Sequence, residues 1–248
     1  MDPNWIKVNG LPLDGGGTPT TDRSAEAAAL QAESALANLT SRLAADACSI
    51  DDICKITVRV VDRSLRTAVY PVIGRHLRGV YPVSTGLVLR TLSQPGMLVE
   101  LEACVVRGDG APHQRFRKYH SRVARYGLSG QNLDCEFCMA VRAGRHVFLR
   151  GQTGVDLDEK LQGIGDAGAQ AEQAMKNVRV LLREAGAELN DVTHAVLYVI
   201  DRAHEAPARA AVVRHLGDAT PALSVMIVDG LASAELLMEI DIHAMVVD

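Results

Sequence analysis

From Ala32 onward, apolar residues return every three or four positions, at Ala35, Leu36, Leu39 and Leu43. That spacing predicts an amphipathic helix, with Asp22 or Ser24 placed to cap its first turn. The period then drops to two. Cys54, Ile56, Val58 and Val60 alternate with Lys55, Thr57 and Arg59, which predicts a strand with one apolar and one mixed face. A short helix ending near Leu77 follows, then two strands over 86–92 and 97–106. Further along, Ala171, Ala174, Met175, Val178, Leu181 and Leu182 predict a second amphipathic helix, stopped by Gly186. Thr193, Ala195, Leu197 and Val199 against His194, Val196 and Tyr198 predict another strand. A short helix ending near Leu216 and strands over 223–230 and 236–247 complete the series.

The order of elements repeats because the residues repeat. An offset of 139 lays Gln31–Ala103 on Gln170–Ile242 without a gap, and 17 of the 73 positions are identical. A unit this long is a duplicated domain, since solenoid units run to about 20–50 residues. The identities include Gln-Ala-Glu-x-Ala-x-x-Asn at 31–38 and 170–177, Asp62-Arg63 on Asp201-Arg202, Arg75-His76-Leu77 on Arg214-His215-Leu216, Pro82 on Pro221, and Glu100 on Glu239. The second copy opens with a predicted hairpin, Phe137–Arg142 and His146–Gly151 around a turn at Ala143-Gly144-Arg145. Upstream of the first copy only Trp5–Val8 reads as a strand, so one hairpin strand is missing there. The chain therefore divides into a domain at 1–107, a basic connector at 108–132 and a domain at 133–248. Each domain is expected to be an α+β layer, a mixed sheet with helices on one face. The other face, carrying Lys55, Thr57 and Arg59 or Val196 and Tyr198, is expected to meet another subunit, because a solvated face needs no Val196 or Tyr198.

Composition narrows the function classes. A net charge of −4 over 248 residues gives no overall attraction to nucleic acid or membrane. Aromatics make up 4%, too few for base-stacking platforms. No apolar run approaches the roughly 20 residues of a membrane span, and the start Met1-Asp2-Pro3-Asn4-Trp5 lacks the segments of a signal peptide. Five scattered cysteines suit reduced thiols in a cytoplasmic protein. Cys135-Glu136-Phe137-Cys138 is a lone C-x-x-C without a second ligand pair, so neither a metal nor a cofactor is expected. Over residues 107–125, at and within the connector, Arg107, Arg115, Arg117, Lys118, Arg122 and Arg125 face one acid, Asp109. A solvated face accounts for that run, and an arm lending Arg117 or His120 to a cleft is the alternative. His76 and His215 close their short helices, where a cation complements the helix dipole.

Ala140-Val141-Arg142-Ala143-Gly144, Val147-Phe148-Leu149-Arg150-Gly151-Gln152, Gln170–Asn177, Ala185-Gly186 and Leu237-Met238-Glu239-Ile240-Asp241 are together similar to the RidA family of reactive intermediate deaminases, also called the endoribonuclease L-PSP family. Tyr81–Gly86 and Leu98–Ala103 of the first copy resemble it as well. The resemblance implies two tandem chorismate-mutase-like domains, a homotrimer of two-domain chains, and ligand clefts at the seams between domains. It implies hydrolysis of enamines, imines or related C–N bonds, with a clamp arginine for the substrate carboxylate and a last-strand glutamate for water. It also implies a tyrosine and a serine on the opening hairpin. Position by position, the glutamate becomes Glu100 and Glu239, the candidate catalytic residues. The clamp arginine is replaced by Ser84 in one copy and Leu223 in the other, and the hairpin tyrosine and serine by Phe137 and Arg150. A guanidinium forks onto a carboxylate as neither serine nor leucine can.

Arg150 has two readings, a substitute anion clamp or a seam salt bridge. Glu100 and Glu239 have two as well, general bases or structural acids. Ser84, Thr85, Gly86, Phe137 and Cys138 complete the expected lining. A small-molecule C–N hydrolase is the first functional reading, and a non-catalytic ligand-binding relative is the alternative. If the copies share a cleft, its walls are the second copy's hairpin and the Ser84-to-Glu100 stretch of the first. Stacked rings would separate those walls, and an alternating arrangement would join them.

Overall fold

The computed structural model of the chain describes residues 5–12, 20–108, 112–121 and 133–247. Its first half runs β1 (Trp5–Gly10), α1 (Ala25–Ala45), β2 (Ile53–Val60), α2 (Arg66–His76), β3 (Val83–Val88) and β4 (Val99–Val106). Two short strands follow, β5 (Gln114–Phe116) and β6 (Tyr119–His120). The second half runs β7 (Glu136–Phe137), β8 (Ala140–Ala143), β9 (His146–Leu149), α3 (Ala167–Glu184), β10 (Val192–Val199), α4 (Glu205–Leu216), β11 (Ala222–Ile227) and β12 (Met238–Met245). The fold is α+β. Among the described residues no helix is long and apolar enough to cross a membrane.

The two sheets share a common centre. The first has the order β1-β4-β2-β3 and the second β11-β10-β12-β9-β8-β5. In each, the long central strand pairs parallel with one closing strand and antiparallel with the other. Beyond that centre the first sheet has β1 alone where the second has the hairpin β8–β9, whose tight turn is admitted by Gly144 at φ +56°. Helices cover one face of each sheet, as Ala32, Leu36, Leu39 and Leu43 of α1 do against Ile56, Val58 and Leu101.

Several of the residues identical between the copies are scaffolding. Gln31 donates to Gly96 O at 2.8 Å and accepts from Leu98 N at 2.7 Å; Gln170 does the same with Glu235 O and Leu237 N. Asp62 and Asp201 accept backbone amides two residues ahead, at Ser64 and Ala203. His76 and His215 each lie 2.6 Å from a carboxylate of the long helix, Glu33 and Glu172, which also hold Arg75 and Arg214.

Several local expectations are corrected. Ser24 is the cap of α1, its hydroxyl accepting from Ala27 N at 3.1 Å. Cys54 does not share a face with Ile56 and Val58, because an irregularity between Ile53 and Lys55 turns it to the opposite side. The strand expected at 86–92 begins at Val83, so Ser84–Gly86 lie within the sheet. The hairpin is shorter than 137–151, and Phe137 leaves it to pair on β7 with Tyr119 of β6. Within the connector, β5 adds to the second sheet along β8. Asp109, Gly110, Arg122 and Arg125 lie outside the described residues.

The face expected to meet another subunit meets the sister copy instead. Cys54, Val83, Cys104 and Val106 of the first sheet pack on Cys138, Val141, Ala143 and Phe148 of the second half. Trp5 lies against His243, with ring centres 4.8 Å apart. Leu87 joins Tyr198, Val228, Leu231 and Leu236. The mixed residues pair across the seam: Lys55 Nζ lies 2.5 Å from Asp241, which also accepts from the Thr85 hydroxyl and, at 3.3 Å, from Tyr198. All four side chains are buried, so the ion pair has the additional hydrogen bonds that a desolvated carboxylate requires.

Candidate active site

The same seam holds a cavity of about 360 Å³ lined from both halves of the chain. Its floor is set by backbone. Gly151 N donates to Ser84 O at 3.2 Å, docking the segment after β9 along the edge of β3, and Gln152 exchanges 2.9 and 2.7 Å hydrogen bonds with Ile240 of β12. These contacts bring two glycines to the cavity, each leaving space for a functional side chain. A Cβ at Gly151 would collide with the Glu239 carboxyl, and one at Gly86 would collide with the Arg66 guanidinium and the Tyr70 hydroxyl.

Glu239 lies between Met238 and Ile240 on β12, with 4% of its surface exposed. Burial pushes its carboxyl pKa up to about 8, and the neighbouring Asp241 adds to the rise, while Arg150, Lys55 and Arg66 oppose it. The group therefore carries its proton at neutral pH.

Arg66, at the start of α2, was not foreseen. It is 5% exposed, and its Nε and Nη1 are buried without a hydrogen-bond partner among the described residues. The guanidinium carbon lies 4.5 Å from the centre of the Tyr70 ring, a cation–π contact. Arg150 also lines the cavity, its Nη1 3.7 Å from Met139 Sδ and its guanidinium 5.3 Å from the Tyr119 ring. Arg117, Lys118 and Tyr119 bring the connector to the cavity. Arg117 is held by a two-pronged pair with Glu184 at 2.6 and 2.8 Å, whereas His120 lies 3.4 Å from Asp134.

Of the residues expected at the site, Ser84, Gly86, Phe137, Arg150 and Glu239 line one cavity. The walls from the two copies are thus joined. Phe137 stands edge-on to Tyr70, with ring centres 6.2 Å apart. Three candidates lie elsewhere. Thr85 points to the seam pair through Asp241, as alternation along a strand requires when Ser84 and Gly86 face the cavity. Cys138 is buried between the sheets, its sulfur 3.0 Å from Tyr81 O and 3.2 Å from Ala140 O, either of which can accept its one S–H. Burial drives its pKa up to about 12, so it stays a neutral thiol. Glu100, the counterpart of Glu239, is half-buried away from this cavity and held by Arg59 at 3.2 Å and by Ser93 N. Cys135 donates to Tyr70 O, so the two thiols of the C-x-x-C point to different partners. Among the described residues no three His, Cys, Asp or Glu side chains gather as metal ligands.

Comparison with known proteins adds the family. The family model described as Endoribonuclease L-PSP matches residues 133–246. A RutC family protein of Pyrococcus horikoshii is 30% identical over 107 residues, which covers 42% of this chain and 82% of that protein. One from Pyrococcus abyssi is 29% identical over 86 residues, 35% of this chain and 68% of that one. The chain belongs to the RidA family. Both halves are matched together by a solved chorismatase, with a TM-score of 0.71 at 18% identity over 97% of this chain and 74% of that one, a likeness of fold. The cavity between the two halves is lined by residues of one polypeptide.

Proposed function

We propose that the chain is a small-molecule hydrolase acting on an enamine or imine in the cavity between its two halves. The observation that carries this reading is the dry carboxyl of Glu239, protonated at neutral pH and facing a cavity lined by Arg66 and Arg150. An enamine is electron-rich at its β-carbon, and a carboxylic acid at that carbon is a general acid matched to the task. Proton transfer from Glu239 to the carbon gives an iminium ion and the Glu239 carboxylate. Water adds to the iminium carbon, the amine nitrogen takes up the proton released, and C–N cleavage yields a ketone and ammonia. Glu239 recovers its proton in the same sequence, and the two guanidinium groups balance its charge while it is ionised.

A second reading rests on the two-domain likeness to a chorismatase. The same acid would serve an electron-rich C=C–O bond, with water giving a ketone and an alcohol in place of ammonia. An assay of ammonia release from 2-aminoacrylate generated in situ separates the two. The first reading expects accelerated ammonia release, lost in Glu239→Gln, and no acceleration by the wild-type chain would refute it for this enamine.

For assembly, the reading is a homotrimer of two-domain chains. Its support is the exposed edge strand β11, with Met226 and Ile227 both 47% exposed where its counterpart β3 is wholly covered. Light scattering tests this, and a mass near 26.6 kDa would exclude it. A cytoplasmic location fits the five free thiols.

A further inference from the structure

Four residues along β12 from Glu239, roughly 13 Å by strand rise, the seam ends in a cluster of rings. Trp5 of β1 lies against three histidines of the second sheet, His146 of β9, His194 of β10 and His243 of β12, with ring centres 6.0, 6.2 and 4.8 Å away. His243 stacks in turn on His146 and Phe148, at 5.2 and 4.6 Å. None of these residues lines the cavity. Their hydrogen bonds suit neutral rings. His146 Nδ1 and His243 Nε2 are 3.0 Å apart, so one hydrogen lies between them and one ring donates to the other. His243 Nδ1 and His194 Nδ1 approach the Thr193 hydroxyl at 3.4 and 3.1 Å, and that hydroxyl donates to His243 O at 3.2 Å. The Trp5 indole offers only an N–H, itself without an acceptor among the described residues. Were both imidazoles of the pair fully protonated, two N–H groups would face each other across that 3.0 Å.

The charges around the stack give a proton no welcome. Two cations reach it, Lys7 of β1 and Lys55 of β2, and each holds the nearby acid: Lys7 lies 3.3 Å from Glu102 of β4, and Lys55 lies 2.5 Å from Asp241 of β12. Burial keeps the Cys104 thiol of β4 neutral, its pKa pushed up to about 11. Arg145, in the turn before β9, is bound to Val246 O. Burial first, then the neighbouring His146 and His194, then Lys55 and Lys7, hold the His243 pKa down to about 3.

We propose that the stack of Trp5, His146 and His243 is a latch between the N-terminal strand and the second sheet, closed by neutral imidazoles and released by acid. Imidazoles in water take a proton below about pH 6.5. Here they reach water only by breaking their pair and moving out from under Trp5. β1 is the edge strand of its sheet and begins at Trp5, so this end can part while β4 keeps its pairing with β2. Because the folded-state pKa of His243 is depressed, the latch has its full strength above about pH 6.5 and loses it as the pH falls toward about 3. Glu239 acts in the opposite sense, its burial costing stability as the pH rises. The two ends of β12 thus set opposite limits to the pH range in which the seam stays closed, whatever reaction the cavity performs.

Trp5 is the only tryptophan of the chain, so its fluorescence reports on the latch alone. Quenching of the full chain by acrylamide is followed from pH 8 to pH 4, with far-UV circular dichroism in parallel. The quenching constant should rise several-fold below pH 6.5 and fall again on return to neutral pH, with the dichroism unchanged. The double variant His146→Gln, His243→Gln has no charge to gain there, and its quenching should not depend on pH. Constant quenching in the wild type, a rise that coincides with loss of the far-UV signal, or a transition kept by the double variant would each overturn the latch. If the double variant does not fold, the imidazole C2 proton resonances of the wild-type chain decide. Titration of His146 or His243 at the midpoint of the quenching change supports the latch, and titration at any other pH ends it.

Discussion

Replacing Glu239 with glutamine removes a proton-binding group whose pKa rises from 4.5 to about 8 on folding, so the substitution should change how stability depends on pH. A carboxyl with a raised folded-state pKa adds no penalty below pH 4.5, where it is protonated in both states. Between pH 4.5 and 8 the unfolded chain ionises and the folded chain does not. Stability then falls by about 1.4 kcal/mol per pH unit. Above pH 8 both states are ionised and the penalty is constant. From pH 5 to pH 8 the wild-type chain should lose roughly 3–4 kcal/mol from this group alone, and Glu239→Gln should lose none of it. Glutamine has nearly the same volume and still packs against Gly151, so the two proteins should be closest in stability near pH 5. Urea denaturation of both at one-unit intervals from pH 5 to pH 9 measures the difference directly. A gap that widens with pH up to about 8 and then levels supports the buried acid. Parallel curves would refute it, and with it the assignment of Glu239 as a proton donor at neutral pH.

Other substitutions test the seam and the unused candidates. Lys55→Met leaves Asp241 buried without its cation, and urea denaturation should show a loss of about 3–5 kcal/mol; a loss below about 1 kcal/mol would mean water reaches that carboxylate. Titration of the native chain with a disulfide reagent should find Cys48, the one thiol that is not fully buried, reacting first, with the other four released by denaturant. Rapid modification of Cys138 would contradict its place between the sheets. Glu100→Gln should retain ammonia release within a few-fold of wild type while Glu239→Gln loses it, and equal losses would show that the two carboxylates act together.

The scaffold was legible because its signals are periodic and given twice. Helix stripes, strand alternation and the Ser24 and Gly186 boundaries each follow from local physics, and the duplicated Gln31 and Gln170 mark the same backbone hydrogen bonds. Local irregularity was not legible: nothing in Ile53-Cys54-Lys55 announces the shift that turns Cys54 away from α1. Glu100 and Glu239 look alike because the repeat is symmetric. Their surroundings differ because the segment at 149–152 covers only the second, and Arg59 meets only the first. Arg66 was missed for a related reason. The family pattern directs attention to Ser84 and Leu223, whereas Arg66 stands against Glu205 and, one turn of helix on, Tyr70 against Arg209. Ser84, Gly86 and Arg150 were placed at the cavity by position alone.

The seam between the sheets is covalently tethered, and this changes what can happen to the site over time. Where the halves of a cleft come from separate identical chains, dilution can dissolve it, and any substitution appears on every wall at once. Here both walls of this cleft travel on one polypeptide, so activity per chain should be independent of concentration down to the point of unfolding. A change on one wall also leaves its counterpart untouched. That freedom allows a half-buried Glu205 in one copy to stand where the other has a buried Arg66.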